Sequence, residues 1–288
     1  MVETVRKAKL GQTVVEYRPA SSILTQSSGF IDTFDFTLNP YAGCSFGCTY
    51  CYAAFFTRTA DLQQNWGKWI RVKENALALL RKKRRNPLIG TSVYMSSVTD
   101  PYQPIEKELG LTRAILQELL DYHQVRLVVQ TRGPLVTRDI DLLQRFEQVR
   151  VNMTITTDDE AVRRVFEPHC ASIERRLDSI REIHEAGIPA CITMTPLLPV
   201  ASPEDFAERL LATGVQRFVV QMFHATKSRF VAGTGQAALA LSTQMNWTQE
   251  RYEAVVAVLS QQLPDVREGR DGFVPDWLEA EDLSNTEK

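Results

Sequence analysis

The 288-residue sequence contains no apolar run that approaches about 18 residues without a charge, which argues against a membrane-spanning helix. Its first ten residues are charged and include no apolar stretch, so we expect no signal peptide and a cytoplasmic protein. Basic and acidic residues nearly cancel, giving a net charge of −2. Proteins dedicated to duplex DNA are usually basic, so this balance weakly opposes non-specific nucleic-acid binding without excluding a local basic surface.

Cysteine is scarce, and its distribution is uneven. Five are present, at Cys44, Cys48, Cys51, Cys170 and Cys191. An odd number with three members bunched together is a poor disulfide framework, and a cytosolic chain would keep its thiols reduced. Bunched thiols in a reducing compartment indicate metal or cluster binding.

Strand-like and helical patterns alternate along most of the chain. The apolar spacing predicts strands over 34–38, 91–96, 125–130, 149–156, 190–195 and 217–222. It predicts helices over 72–84, 111–122, 138–146, 172–186 and 248–259, and one that starts at Ser202–Pro203 and ends at Gly214. About six βα units imply an α/β fold with a parallel sheet curved into a partial (β/α)6 barrel of the TIM type.

The same alternation predicts the domain organisation. We expect an N-terminal extension over 1–33, the barrel domain over 34–263 and a polar, acidic tail over 264–288. The long connection over 224–247 interrupts the rhythm, and a connection of that length is usually functional or mobile. In such barrels the chemistry lies at the C-terminal ends of the strands.

The three bunched cysteines have the spacing C-x3-C-x2-C. Thiolates within eight residues can wrap one face of a cubane iron–sulfur cluster, and Gly43 and Gly47 permit the tight backbone. With no fourth cysteine nearby, one iron would stay open to a cofactor. A zinc site is the main alternative, but structural zinc is nearly always four-coordinate, and the nearest histidine is His123. Three unrelated buried cysteines are a further alternative that this spacing disfavours.

The cysteine motif, with Tyr50 as its aromatic residue, resembles the signature of the radical S-adenosylmethionine (SAM) superfamily. Further segments resemble the spore photoproduct lyase-like subgroup, namely 39–44, 51–53, 99–104, 137–139, 166–168 and 174–176. These matches span about residues 35–200.

This resemblance implies a [4Fe-4S] cluster on Cys44, Cys48 and Cys51 with SAM chelating the open iron. An electron from an external donor of the flavodoxin or ferredoxin type then releases methionine and a 5′-deoxyadenosyl radical that abstracts hydrogen from the substrate. By analogy the substrate is a nucleic-acid base lesion. Modification of a peptide, a protein or a small metabolite is one alternative, and a non-catalytic interaction module stabilised by zinc or a cluster is another.

The resemblance also implies which residues contact SAM. Ser97, Thr99 and Asp100 end the second strand where the family holds the amino group, and Arg132 ends the third where it holds the carboxylate. The remaining implied cofactor contacts are Tyr50, Thr154, Thr156 and Met194. Each has a structural alternative: a capping turn, a solvated arginine, an ordinary strand threonine or a core methionine.

One departure concerns the hydrogen-atom donor. Spore photoproduct lyase has a cysteine near the end of the second strand, whereas residues 92–110 here contain none. Cys191, Cys170 and Tyr102 are candidate substitutes, and buried cysteine acting as a small hydrophobe is the alternative.

Two charged features have structural interpretations. We expect Glu167 and Arg175 to form a buried structural pair. The basic run 81–85 would suit phosphate contacts, but a solvated helix end on the face opposite the active site is the favoured interpretation.

Overall fold

The computed structural model describes residues 6–223 and 234–278, and two β-sheets organise this part of the chain. The strands are β1 (Lys9–Leu10), β2 (Thr13–Arg18), β3 (Leu24–Gln26), β4 (Phe36–Leu38), β5 (Tyr41–Ala42), β6 (Trp69–Lys73), β7 (Ile89–Met95), β8 (Gln124–Thr131), β9 (Val149–Thr154), β10 (Ala190–Met194), β11 (Arg217–Val220) and β12 (Asp265–Glu268). The small sheet has the order β1-β2-β6-β5, and the large sheet has the order β12-β11-β10-β9-β8-β7-β4-β3.

Helices connect most of the successive strands of the large sheet. They are α1 (Ala60–Gln64), α2 (Ala76–Lys83), α3 (Glu106–Leu109), α4 (Leu111–Tyr122), α5 (Ile140–Leu143), α6 (Glu160–Phe166), α7 (Ile173–Glu185), α8 (Pro203–Leu211), α9 (Gln236–Gln244) and α10 (Gln249–Gln262). Helix α7 shows why they pack on the sheet: Ile173, Leu177 and Ile180 recur every three or four residues and are all buried. Helix α8 begins where the sequence predicts, because the Ser202 side chain accepts a hydrogen bond from the Asp205 amide.

The large sheet is parallel except at one edge. Strands β4 and β7 to β12 pair in parallel, and β3 pairs antiparallel with β4. Six of the parallel strands are the predicted ones, so the prediction of an α/β fold with a partial barrel is confirmed. Side chains along these strands alternate between the helix layer and the barrel interior.

The C-terminal region differs from the predicted tail. Residues Asp265–Glu268 form β12, a further parallel strand beside β11, so the sheet extends past residue 263. The strand is polar because it lies at a sheet edge, where Arg267 and Arg217 both pair with Asp265. These charged residues are the reason that the sequence analysis predicted a polar tail here instead of a strand. Residues 279–288 lie outside the described part of the chain.

Two 3-10 helices, Gly29–Ile31 and Gly269–Phe273, bridge the gap between the sheet edges. The rings of Phe30 and Phe273 meet edge-to-face with centroids 6.4 Å apart, and Arg270 pairs with Asp32. The N-terminal extension thus contributes β3 and one of these bridging segments to the barrel.

Two other predicted segments have a different local structure. The helix expected over 138–146 is a 3-10 helix over Pro134–Asp139 followed by the short α5. The long connection expected over 224–247 contains α9 in its described part, and residues 224–233 lie outside the described residues. Among the described helices, none is both long and apolar enough to cross a membrane.

Candidate active site

A cavity of about 930 Å³ opens at the C-terminal ends of the parallel strands. This is the end at which barrels of this kind place their chemistry, and the volume is at the upper end of the range of about 300–1,000 Å³ for small-molecule sites. Cys44, Cys48 and Cys51 all line it. Of the other predicted cofactor contacts, the lining includes Tyr50, Ser97, Thr99, Asp100, Arg132 and Thr154.

The loop that carries the three cysteines is anchored to three surrounding elements. The Thr49 amide donates to the Phe166 carbonyl at 2.9 Å, and the Ser45 amide donates to Gln103 Oε1 at 3.0 Å. The Thr99 hydroxyl donates to the Gly43 carbonyl at 2.6 Å. Thr99 therefore holds the cysteine loop as well as lining the cavity.

Gly43 is required at the start of this loop by both its backbone and its surroundings. Its φ is +76°, and a Cβ there would lie 2.5 Å from the Trp69 carbonyl oxygen and 2.6 Å from the Trp69 ring. We expect Gly43→Ala to cost about 2–5 kcal/mol of unfolding free energy, the sum of left-handed backbone strain and overpacking. It should also lower the iron retained after reconstitution, because the loop must move. Denaturant unfolding and iron analysis measure both effects.

Gly11→Ala is the matched control for that variant. Gly11 has φ +58° but nothing within 4 Å of the added Cβ, so it isolates the backbone strain of about 1–2 kcal/mol. Equal losses of stability in the two variants, with full iron in both, would show that the Trp69 contact does not shape the loop.

The chemistry of the three thiols fits an iron–sulfur cluster. Cysteine thiolates are the usual ligands of such clusters, each bonded to its own iron. Burial raises the pKa of Cys51 to about 12 and that of Cys44 well above its usual range. The pKa of Cys48 is lowered by its contact with Cys170, whose Sγ lies 3.7 Å away, and by Arg132. Within residues 6–223 and 234–278, no three His, Cys, Asp or Glu side chains are arranged to hold a single metal ion.

Arg132 is the cation of the site. Its Nη1 lies 2.8 Å from Cys48 Sγ, 2.7 Å from the Tyr50 hydroxyl and 3.4 Å from Glu167 Oε1. The side chain is only 17% exposed, so these contacts form in a partly desolvated environment where charge interactions are strong. Arg132 is therefore placed to pair with an anion in the cavity and to donate a hydrogen bond to Cys48 Sγ.

Behind Arg132 lies a fully buried ion pair. Glu167 Oε2 is 2.7 Å from Arg176 Nη2, and both side chains have zero exposure. Tyr50 and Thr156 also donate hydrogen bonds to Glu167 Oε1, from Thr156 at 2.9 Å. Burial alone would raise the pKa of Glu167, but the charges of Arg176 and Arg132 together lower it.

The predicted partner of Glu167 was wrong by one residue. Arg175 is exposed, whereas Arg176 lies on the same buried face of α7 as Ile173, Leu177 and Ile180. A shift of one residue on a helix rotates the side chain by about 100°, which moves it from solvent to core.

Asp100 uses its carboxylate to join the ends of β7 and β8. It accepts hydrogen bonds from the Thr131 hydroxyl at 2.7 Å, from the Arg132 amide at 2.9 Å and from the Tyr102 amide at 2.9 Å. These contacts fix the backbone from which the Arg132 side chain extends. Burial raises the pKa of Asp100.

Ser96 begins the polar run 96–100, which the resemblance matches to the position where the family holds the SAM amino group. It directly follows β7 with φ 74°, is 3% exposed and lines the cavity, and its hydroxyl has no hydrogen-bond partner among the described residues. A buried hydroxyl without a partner is uncommon. The adjacent Ser97 accepts a hydrogen bond from Asn39 Nδ2 at 3.4 Å.

Four predicted site residues do not line the cavity. Met194 belongs to the sheet–helix core, because on β10 it alternates with the interior-facing Thr193, and it does not line the cavity. Thr156 contacts Glu167 instead. Tyr102 is buried in the sheet–helix core, and Cys191 packs in the barrel interior against Phe34 and Val128. Neither Tyr102 nor Cys191 is placed to contact a molecule in the cavity directly.

The second half of the cavity comes from two segments in which the sequence predicted no site residue. One is the stretch 25–32 of the N-terminal extension, and another is the 3-10 helix Tyr52–Phe56 directly after the cysteine loop. Tyr52 is 45% exposed and Phe56 63%, although both line the cavity. The aromatic residues of Tyr52–Phe56 could have indicated the second segment from the sequence. The position of 25–32 beside the cavity depends on the tertiary fold, so no local pattern indicates it.

The basic run 81–85 lies at the other end of the barrel, in the last turn of α2 and the start of the connection to β7. Arg84 donates two hydrogen bonds of 2.6 Å to Glu118, and its Cζ lies 3.3 Å from the centroid of the Tyr122 ring. None of the five residues lines the cavity. The arrangement agrees with a solvated helix end.

The chain is similar in sequence to several known proteins. The chain is 36% identical over 164 residues to an uncharacterised protein of Methanocaldococcus jannaschii, covering 57% of this chain and 61% of that protein. It is 26% identical over 197 residues to the radical SAM Nα-GlyT isomerase of Pseudomonas phage M6, covering 65% of this chain and 39% of the isomerase. The chain spans only 56–64% of the length of the first curated relatives.

A solved structure matches the fold. Spore photoproduct lyase complexed with dinucleoside spore photoproduct superposes with a TM-score of 0.59 over 88% of this chain and 81% of that one. At 15% identity this likeness establishes the fold alone. The family comparison matches residues 38–211, well over half of the chain and including the cysteine loop. This protein therefore belongs to the Radical SAM superfamily.

Proposed function

We propose that this protein holds a [4Fe-4S] cluster on Cys44, Cys48 and Cys51, binds SAM at the iron that lacks a cysteine ligand, and abstracts a hydrogen atom from a nucleic-acid base. When bound, the cluster and SAM supply a 5′-deoxyadenosyl radical after one-electron reduction by an external donor of the flavodoxin or ferredoxin type. The observation that carries the proposal is one cavity with the three cysteines on one side and an aromatic chamber on the other.

The residues on the cysteine side suit SAM. Arg132 offers a fixed cation for a carboxylate, and a guanidinium recognises that group through paired hydrogen bonds. The hydroxyls of Ser96, Ser97 and Thr99 line the adjoining strand end and offer acceptors for an ammonium group. Asp100 holds the Arg132 backbone in place through the bonds described above.

The other side of the cavity suits a neutral planar group. Its lining supplies aromatic rings and amide or hydroxyl groups, which stack on and hydrogen-bond to an unpaired base. Among the described lining residues, Arg132 is the one basic side chain. The acidic lining residue Asp32 is already paired with Arg270. The cavity therefore fits a base or nucleoside better than a phosphate backbone. The exposed rings of Tyr52 and Phe56 provide a platform at which an extruded base can stack.

The test uses reconstituted protein and single-stranded oligothymidylate irradiated to carry thymine photoproducts. We expect the damaged strand to raise 5′-deoxyadenosine formation above the substrate-free rate and to be consumed. Phe56→Ala should weaken strand binding by about 5- to 100-fold, the effect of losing one base–aromatic stack. The salt dependence should be shallow, with a log–log slope no steeper than about −0.7, because one cation at most meets a phosphate.

Ile89→Ala is the control for the Phe56 variant. Ile89 is 61% exposed at the opposite end of the barrel and should leave strand binding unchanged. If the damaged strand neither binds nor stimulates cleavage while a peptide or small metabolite does, the base assignment is wrong and the radical chemistry stands.

A further inference from the structure

A chain of polar side chains crosses the barrel interior beneath the cavity. It runs from Arg150 and Asn152 on β9 through Gln130 on β8 to Thr154 and Thr193. Barrel interiors of this type are usually filled with branched apolar residues. Gln130 and Thr154 line the cavity, whereas Arg150, Asn152 and Thr193 do not.

Arg150 sets the direction of every hydrogen bond in this chain. A guanidinium can only donate, so Asn152 must present its oxygen to Arg150 Nε, which lies 3.0 Å away. Asn152 Nδ2 therefore faces Gln130 and donates to its Oε1 at 3.1 Å. The Tyr94 hydroxyl donates to the same oxygen at 2.8 Å. Arg150 is itself held by the carbonyls of the C-terminal segment, at 2.7 Å from Phe273 and 3.3 Å from Val274.

The Gln130 amide consequently turns its nitrogen toward the two threonines. Nε2 donates to Thr154 Oγ1 at 2.9 Å and to Thr193 Oγ1 at 3.0 Å, so both hydroxyl oxygens act as acceptors. The two hydroxyls are 3.1 Å apart and share one hydrogen bond.

The direction of that last bond follows from burial. Thr193 is fully buried, and its hydroxyl has no further partner among the described residues. If Thr154 donated to Thr193, the Thr193 hydrogen would be left without an acceptor, at a cost of about 1–3 kcal/mol. Thr193 therefore donates to Thr154. The Thr154 hydroxyl hydrogen is then left for a molecule in the cavity.

We infer that Arg150 is a positioning residue that fixes Thr154 as a hydrogen-bond donor to an acceptor oxygen of the bound SAM. SAM offers two kinds of such oxygen, in its carboxylate and in its ribose. The inference rests on the proposed function, because it assumes that SAM occupies this cavity. It assigns a role in cofactor binding to a residue that does not itself line the cavity.

The test measures anaerobic SAM binding to the reconstituted protein with its cluster oxidised, so that no turnover occurs. Thr154→Val removes the donor, and Gln130→Glu replaces the donating nitrogen with a second acceptor that draws both threonine hydrogens away from the cavity. Each should weaken SAM binding by about 5- to 100-fold. Thr154→Ser keeps the hydroxyl and should restore binding to within about threefold of wild type, a change of about 0.7 kcal/mol or less.

A second pair of variants tests the remote residue. Arg150→Leu removes the donor that orients the side-chain amides of Asn152 and Gln130, so both can flip and SAM binding should weaken. Arg150→Lys retains a donor toward Asn152 and should recover most of the SAM affinity. Iron content and melting temperature for each variant separate this effect from misfolding, because a purely structural role would not distinguish Thr154→Ser from Thr154→Val in a folded, loaded protein.

Decarboxylated SAM identifies the acceptor oxygen. If Thr154→Val weakens SAM binding but not binding of the decarboxylated form, the acceptor is the carboxylate; equal losses assign a ribose oxygen. If both Thr154→Val and Gln130→Glu bind SAM with wild-type affinity, in a protein that still cleaves SAM, the inferred roles of Arg150 and Thr154 are overturned and the proposed function stays intact. Failure of the wild-type protein to bind SAM would instead overturn the proposed function, and with it the inferred roles of Arg150 and Thr154.

Discussion

Replacing any one of Cys44, Cys48 or Cys51 by alanine is expected to abolish cluster assembly and SAM cleavage. Each thiolate would hold a different iron, and no other cysteine among the described residues lines the cavity. Iron content and visible absorbance after anaerobic reconstitution measure the first effect. Production of 5′-deoxyadenosine on reduction measures the second, and we expect it to fall to background.

The two remaining cysteines provide controls at different distances. Cys191→Ala changes the barrel interior and should retain full iron. Cys170→Ala is the more demanding control, because Cys170 Sγ lies 3.7 Å from Cys48 Sγ. It should also retain iron if the motif cysteines are the only protein ligands. Complete loss of iron from Cys170→Ala would make it a fourth ligand, which would leave no open iron for SAM.

Removal of the buried partner of Glu167 is expected to have the largest effect on stability. Arg176→Met leaves a carboxylate with zero exposure beside Arg132 alone, at 3.4 Å. Breaking a buried ion pair from one side costs about 3–5 kcal/mol of unfolding free energy. Arg175→Met is the neighbouring control and should change stability by less than about 0.5 kcal/mol, since Arg175 is exposed. Denaturant unfolding of both variants measures the difference.

The pH dependence gives this prediction a second readout. The pKa of Glu167 is lowered in the folded protein, so its contribution is fully present above its unfolded pKa of about 4.3 and is lost as the pH falls through the folded value. The difference in stability between wild type and Arg176→Met should therefore shrink below about pH 4. A difference that stays constant down to pH 2 would show that packing, not charge pairing, dominates at this position.

The parts of the fold that were predictable from sequence are those with local signals. The βα alternation follows from apolar spacing within each segment, and the cysteine motif is contained in eight residues. Strand β12 was missed because three of its four residues are charged, and only its pairing with β11 makes it a strand.

The site shows the same division at the level of single residues. Sequence predicted that Arg132 and Thr154 lie at strand ends, and both line the cavity. It could not give the strand phase that turns Met194 away and Thr193 inward, or the helix phase that buries Arg176 in place of Arg175. Errors of one residue reverse the side of a strand and rotate a helix position by about 100°. The role of Arg150 depends on contacts with residues more than 120 positions away, which no local pattern contains.

The most direct test of the central claim is the formation of 5′-deoxyadenosine by the wild-type protein. The protein is reconstituted anaerobically with iron and sulfide, reduced with dithionite and incubated with SAM, and the products are separated by chromatography. We predict four irons per chain and 5′-deoxyadenosine together with methionine, both absent when the reductant is omitted. Tight binding of zinc in place of iron, with SAM left intact under reduction, would contradict the account.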